Sequence, residues 1–282
     1  MSAPDGVPSA ELRLSVGTET HTGLRRRINE DSFLAMPPVF LVADGMGGHQ
    51  AGEVASALAV EAFAGLAGDF VSPGDIRDAF KRAHVTIDAL SPGGDRRAGT
   101  TVSGVAVAES DGRAYWLIFN LGDSRTYRLS GGELEQISVD HSVVQEMLDD
   151  GELDREAAAN HPSRNVITRA LGAGGEFQPD YWLVPVESGD RVLVCSDGIS
   201  GELDDELIAR ILQHEERAQD AATQLVHESL ARGGRDNLTA VVVDAWDHEG
   251  ASRGSADADR DDDGRHGEDT IPRGPVGVGG RN

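Results

Sequence analysis

Four polar turns, each carrying an aspartate, abut apolar runs, and this recurrence restricts the fold more than any other feature of the chain. Asp44 lies in VADGMGGH after FLVA, Asp123 in NLGDSR after WLIFNL, Asp197 in VLVCSDG, and Asp236 in GGRDN ahead of LTAVVV. Short apolar, β-branched runs bounded by Gly and Asp read as strands. Strand ends are where a fold can aim carboxylates from distant segments at one point. An oxygen-only cluster of that kind suits hard divalent cations such as Mg²⁺ or Mn²⁺, and points to a hydrolytic metal site.

Alternating or apolar runs predict strands at Leu14–Glu19, Ser32–Ala35, Val39–Ala43, Thr101–Ala108, Ala114–Asn120, Thr126–Ser130, Tyr181–Val186, Arg191–Cys195 and Thr239–Ala245. Helical periodicity predicts helices at Gly52–Ala67, Asp75–Leu90, Ser142–Asp149, Asp204–Gln213 and Arg217–Arg232. Strands come in groups with long helices between them, without strict βαβ alternation. That pattern predicts an α+β layered domain with mainly antiparallel sheets. The polar segment at about 138–179, containing DHS, DDGELD and HPSRN, interrupts the strands and reads equally as a flap beside a site or as a helical insertion.

Residues 1–11 read as a flexible lead and 12–246 as the folded, catalytic body. Residues 247–282 are rich in Asp, Gly and Arg and poor in apolar side chains, so they cannot bury enough surface to offset ordering entropy and read as a disordered tail.

The chain of 282 residues has a formal net charge of −24. Nucleic-acid binding relies on Lys and Arg to neutralise phosphates, so this balance argues against it, and likewise against an anionic membrane surface. The same charge favours basic sequences around any anionic protein target. The single cysteine, Cys195, sits in an apolar strand run and reads as a core thiol. No signal peptide and no run of about 18 apolar residues is recognisable, so a cytoplasmic protein without a membrane anchor is expected.

Taken singly, each aspartate fits an ordinary turn. The glycines after Asp44 let a carboxylate and a bare backbone carbonyl approach a cation; their spacing does not make a GxGxxG loop, and no lysine completes a phosphate loop. Arg25-Arg26-Arg27 next to Asn29-Glu30-Asp31 adds guanidinium groups, which match phosphate oxygens bidentately.

The segments RRINEDS, VADGMGGHQAGEVAS, AGTT, NLGDSR, DHSVVQ, HPSRNVITRALG, CSDGISGEL and RDNLT, in this order, resemble the metal-dependent serine/threonine protein phosphatases of type 2C, especially the compact bacterial members. The resemblance spans Gly23 to Thr239. It implies a two-sheet antiparallel β-sandwich flanked by helices, in α-β-β-α layers, with two Mn²⁺ or Mg²⁺ ions at one end and a third, weaker site. Carried onto this chain, Asp44 bridges both ions, and Asp197 and Asp236 complete the ligands of the first. The Gly45 carbonyl binds the second ion, with Glu30 acting through water, and Asp123 with Asp197 holds the third. Arg26 falls at the phosphate-binding arginine.

The implied catalytic set is therefore Arg26, Asp44, Asp197 and Asp236, and the implied reaction is hydrolysis of phosphoserine or phosphothreonine by a hydroxide bridging the two ions. Some relatives place a histidine after the Asp-Gly pair as general acid; Met46 stands there in this chain, and His49, His141 and His161 read as structural. The implied partners are phosphoserine and phosphothreonine proteins, including a Ser/Thr kinase or its substrates, met by a monomer. A catalytically silent phosphoprotein-binding module of the same fold and a small phosphate-ester hydrolase are the competing readings.

Overall fold

The computed structural model describes residues 6–47, 51–66, 68–90, 98–154, 157–158, 161–174 and 177–247. The tail at 248–282 and His49 therefore lie outside the described residues. Strands are β1 Arg13–His21, β2 Asp31–Met36, β3 Val39–Met46, β4 Gly99–Thr100, β5 Val102–Ser110, β6 Arg113–Leu121, β7 Arg125–Ser130, β8 Glu133–Gln136, β9 Asp180–Pro185, β10 Asp190–Cys195 and β11 Leu238–Trp246. Helices are α1 Ala51–Ala64, α2 Pro73–Asp88, α3 Val143–Asp149, α4 Asp197–Ser200, α5 Asp205–His214 and α6 Ala218–Arg232. One sheet runs β1-β11-β10-β7-β8; the other runs β2-β3-β5-β6-β9, with β4 paired to β3. All the strand pairings are antiparallel.

The central strands β3, β5, β6, β10 and β11 are largely apolar because both of their faces are covered. In β3, Phe40 and Val42 face the centre of the sandwich, where they join Val105, Trp116, Ile118, Val192, Val194, Val241 and Val243. The alternate residues Val39, Leu41 and Ala43 pack under α1 and α2 against Ala59, Phe63, Ile76 and Phe80. On the other sheet, Leu193, Cys195, Ala240 and Val242 pack under α4, α5 and α6 against Ile199, Ile208, Ala222 and Leu225. Period-two alternation thus divides every central strand between two apolar layers. Burial pushes the Cys195 thiol up to about 12, which fits a core residue and not a nucleophile.

The helix ends follow their local chemistry. Ser72 caps α2 in a reciprocal capping box with Asp75, and Pro73 occupies its first turn. Asp204 caps α5 by accepting from the Leu207 N–H.

The structure departs from the sequence reading at the short elements β4 and α4, at one hairpin and at the N-terminal residues. The β7–β8 hairpin was not expected, although Gly131 and Gly132, both at positive φ, form the two-residue turn that signals one. Residues 6–11, read within a flexible lead, are docked instead: Val7 is buried, its N–H donates to the Val186 carbonyl, and its own carbonyl accepts from the Ala114 N–H. The apolar Val7 closes one end of the sandwich core, which its isolated place between Gly6 and Pro8 conceals in the sequence. The polar segment at 138–179 is pinned at its base by bridges Ser142–Ile167 and Thr100–Leu171. Among the described residues, no helix is long and apolar enough to cross a membrane.

Candidate active site

Antiparallel pairing brings the ends of β3, β6 and β10 and the starts of β2, β5 and β11 to one edge of the sandwich. Asp31 opens β2 directly opposite Asp44 near the end of β3. The Asp44 backbone is fixed on three sides: its N–H donates to Thr101 Oγ1 (3.1 Å), and its carbonyl accepts from the Thr101 N–H (2.9 Å) and Thr100 Oγ1 (2.9 Å). Thr101 Oγ1 also hydrogen-bonds Ser124 Oγ (2.8 Å), beside Asp123 in the β6–β7 turn. Asp197 is the first residue of α4, directly after β10, and Asp236 sits in the turn before β11.

Side-chain bonds sew the two sheets together here. Asp31 Oδ2 accepts from Ser196 Oγ (2.8 Å) and Thr239 Oγ1 (2.7 Å). Asn237 uses its whole amide: Oδ1 accepts from the Glu30 N–H (2.9 Å), and Nδ2 donates to the Thr22 and Ile28 carbonyls (2.9 Å each). The Glu30 carbonyl in turn accepts from the Gly45 N–H (3.1 Å) and Ser56 Oγ (2.6 Å). Arg125 grips Asp140 with two nitrogens (2.9 and 2.7 Å), and His141 Nδ1 accepts from the Gly122 N–H (3.1 Å), so DHS is tied to the turn that carries Asp123. His141 is engaged at both ring nitrogens, by the Gly122 N–H and by Asp180 Oδ2 (3.1 Å), and His161 Nδ1 accepts from the Ser163 N–H within its own turn.

The electrostatics of this edge are unfavourable for carboxylates alone. Burial, then the charges of Asp31 and Asp197, holds Asp44 well above the usual carboxylate range. Burial and Asp236 raise Asp197, against the lowering effect of its hydrogen bond with Asp44. Burial and Asp197 push Asp123 to about 8, and burial pushes Asp31 to about 7. Oε1 of Glu30 and Oδ1 of Asp31, Asp123 and Asp197 are buried with no hydrogen-bond partner. A buried carboxylate oxygen without a donor is costly, and a cation is the natural counterpart for several of them at once.

A backbone cradle lies beside them: a Cβ on Gly45 would overlap the Gly52 carbonyl and come 2.6 Å from the Glu30 carbonyl oxygen. The residues present therefore fit divalent cations. Among the described residues, no three acidic, imidazole or thiol groups stand at coordination distance from one point. One reason is visible: Arg26 Nη2 holds Asp236 Oδ2 at 2.6 Å, and Asp236 Oδ1 accepts from the Asn237 N–H. Arg26 also feels Asp44 and Asp197, which places its guanidinium over the same cluster.

A family model described as protein phosphatase 2C matches residues 27–242. The chain belongs to the protein phosphatase 2C family. The serine/threonine protein phosphatase PstP of Mycobacterium tuberculosis is 38% identical over 243 residues, 84% of this chain and 46% of that protein. The chain thus spans under half the length of that relative. The serine/threonine phosphatase stp of Listeria monocytogenes is 34% identical over 217 residues, 73% of this chain and 84% of that protein. Among solved structures, the catalytic domain of PstP in complex with two manganese ions aligns with a TM-score of 0.75 at 36% identity, covering 84% of this chain and all of that one. The two-sheet sandwich with flanking helices is the protein phosphatase 2C architecture, as the sequence motifs imply.

Glu30, Asp44, Gly45, Asp123, Asp197, Asp236 and Arg26 all fall at this one edge. Four further residues, Asp31, Asn237, Arg125 and Asp140, belong with them. Asp31 was a turn acid in the sequence, yet its pairing with Asp44 makes it part of the buried cluster. Asn237 and the Arg125–Asp140 pair are the supports that hold loops in place. Only Asp31 carried a usable signal, as a charged residue opening an apolar strand.

Proposed function

We propose that the chain is a metal-dependent protein serine/threonine phosphatase that hydrolyses phosphoserine and phosphothreonine. The observation that carries this reading is the gathering of Asp44, Asp123, Asp197 and Asp236 with Glu30 under one arginine, with Asp44, Asp123 and Asp197 so buried that their ionised forms call for a cation. Asp44, Asp197 and Asp236 would hold one Mn²⁺ or Mg²⁺. Asp44, the Gly45 carbonyl and, through water, Glu30 would hold a second, and Asp123 with Asp197 a weaker third. When bound, such ions supply an activated water and offset the charge of the phosphoryl group.

The protein's own groups do the rest. Arg26 is half exposed, so its guanidinium can leave Asp236 and engage a phosphate in a fork. Thr100, Thr101 and Asn237 keep the ligand-bearing backbone from shifting, which preserves the in-line geometry phosphoryl transfer needs. In this reading solvent protonates the leaving oxygen. The catalytic domain in this reading is 12–246 together with the docked residues 6–11. A cytoplasmic monomer acting on phosphoproteins, a Ser/Thr kinase or its substrates among them, completes it.

Phosphate release from a phosphothreonine peptide, measured with EDTA, Mg²⁺ and Mn²⁺ and with Asp236→Ala in parallel, tests the reading. Release that needs metal and is lost in the variant is expected. Metal binding without any release would favour the silent module, and turnover confined to sugar phosphates or nucleotides the small-ester hydrolase.

Arg26→Ala is expected to raise KM and lower kcat/KM about 10- to 100-fold, the scale of losing a charge-assisted fork. Metal affinity should hold or rise, because Arg26 competes for Asp236 Oδ2. Loss of metal binding by calorimetry would contradict the phosphate role.

A further inference from the structure

We propose that the loop carrying Arg25 and Arg27 is a docking rim that selects acidic residues next to the phosphorylated residue of a substrate. The inference rests on the phosphatase reading and names its substrate class.

The loop between β1 and β2 is short and held from beneath. The Asn237 amide donates to the carbonyls of both Thr22 and Ile28, so one side chain closes the base of the loop. The Leu24 N–H donates to the Gly234 carbonyl at 2.7 Å, fastening the same loop to the turn that carries Asp236. A loop with joined ends presents its tip with little conformational freedom left to lose on binding. That tip is Leu24-Arg25-Arg26-Arg27-Ile28, all exposed.

Charge at the tip is opposite to that of the chain as a whole. Arg26 is paired with Asp236, and nearby Arg235 is paired with Glu202 through two nitrogens (2.9 and 2.8 Å). Arg25 and Arg27 form no ion pair among the described residues. They are uncompensated guanidinium groups on a chain of net charge −24. Leu24 and Ile28, 63% and 41% exposed, flank them with apolar surface.

Position turns this into selectivity. Adjacent Cα atoms lie about 3.8 Å apart, and an extended peptide advances about 3.4 Å per residue. With a phosphate on Arg26, the side chains of Arg25 and Arg27 reach the substrate residues one to three places from the phosphorylated one. Carboxylates there meet unpaired arginines, and Lys or Arg there meets repulsion. Overall net charge predicts the reverse preference, but at physiological salt a field is screened within about 8 Å, so the local arginines decide.

The experiment compares kcat/KM on phosphothreonine peptides with acidic, neutral and basic flanks, with Mn²⁺ present, for the full chain, the Arg25→Ala/Arg27→Ala double variant and the Arg25→Lys/Arg27→Lys double variant. The wild type should favour acidic over basic flanks roughly 3- to 10-fold, the scale of two exposed charge contacts. The ratio should fall close to one in the alanine variant and persist in the lysine variant. Equal rates in the wild type, a preference for basic flanks, or an undiminished ratio in the alanine variant would overturn the docking rim. Hydrolysis of p-nitrophenyl phosphate by the wild type separates the two levels. Turnover of ester and peptides alike without flank selectivity sinks the rim alone, whereas no turnover of any peptide sinks the protein phosphatase reading and the rim with it.

Discussion

Asp197→Asn abolishes turnover: kcat/KM is expected to fall about 1,000-fold or more, equivalent to ~4 kcal/mol of transition-state stabilisation. Asp197 opens α4 at the end of β10, and its Oδ1 is buried with no hydrogen-bond partner. Burial and the Asp236 charge already disfavour its ionised form, so a carboxylate kept there serves something other than the fold's own stability. Asparagine keeps the volume and removes the charge.

Two thermal measurements therefore move differently. In EDTA, the variant should melt at or above the wild-type temperature, because a buried repulsive charge is gone. With saturating Mn²⁺ the wild type should gain stability by mass action, about 2.7 kcal/mol at 100 times Kd, and the variant should lose most of that gain. Near wild-type kcat/KM together with an intact Mn²⁺ shift would remove Asp197 from the site.

Gly45→Ala should damage both fold and activity. The added Cβ overlaps the Gly52 carbonyl in the first turn of α1 and crowds the Glu30 carbonyl at 2.6 Å. Both neighbours are backbone, so no flexible side chain can yield. Overpacking of this kind costs about 1–3 kcal/mol or more. Relief by moving β3 shifts Asp44 and the Gly45 carbonyl together, so turnover should fall even at temperatures where the variant stays folded. Gly65→Ala is the control, since a Cβ there meets nothing within 4 Å. Equal denaturation midpoints for the two variants, with full activity in Gly45→Ala, would show that the Gly45–Gly52 approach is dispensable.

Much of this site was legible along the chain because its parts are local. An apolar run of alternating destination followed by Asp and Gly is a strand and its turn, whatever the partner strand is. Asp44 and Asp197 are readable in that way, Asp123 by the Gly before it and Asp236 by the apolar run after it, and the order of the surrounding motifs carries the family resemblance. The β7–β8 hairpin is equally local, but Glu133 and Glu135 dilute the strand pattern after its Gly131-Gly132 turn. Val7 is not readable, because an isolated valine between Gly6 and Pro8 signals nothing until Val186 and Ala114 are placed opposite it.

By itself, the sequence determined the layered α+β architecture, the apolar strands shared between two cores, and the acids at their ends. These follow from side-chain periodicity and turn chemistry, which act over a few residues. Only the tertiary structure decided which acids share one environment, that Asp31 joins them, and that Arg26 rests on Asp236. The reason is register. Asp31 meets Ser196 across 165 positions and Thr239 across 208, and no local pattern encodes where strands that far apart align. That alignment is set by packing the whole sandwich, and it gathers four ordinary turn aspartates into one cluster, three of them buried and Asp236 held by Arg26 at the rim, that favours a divalent cation.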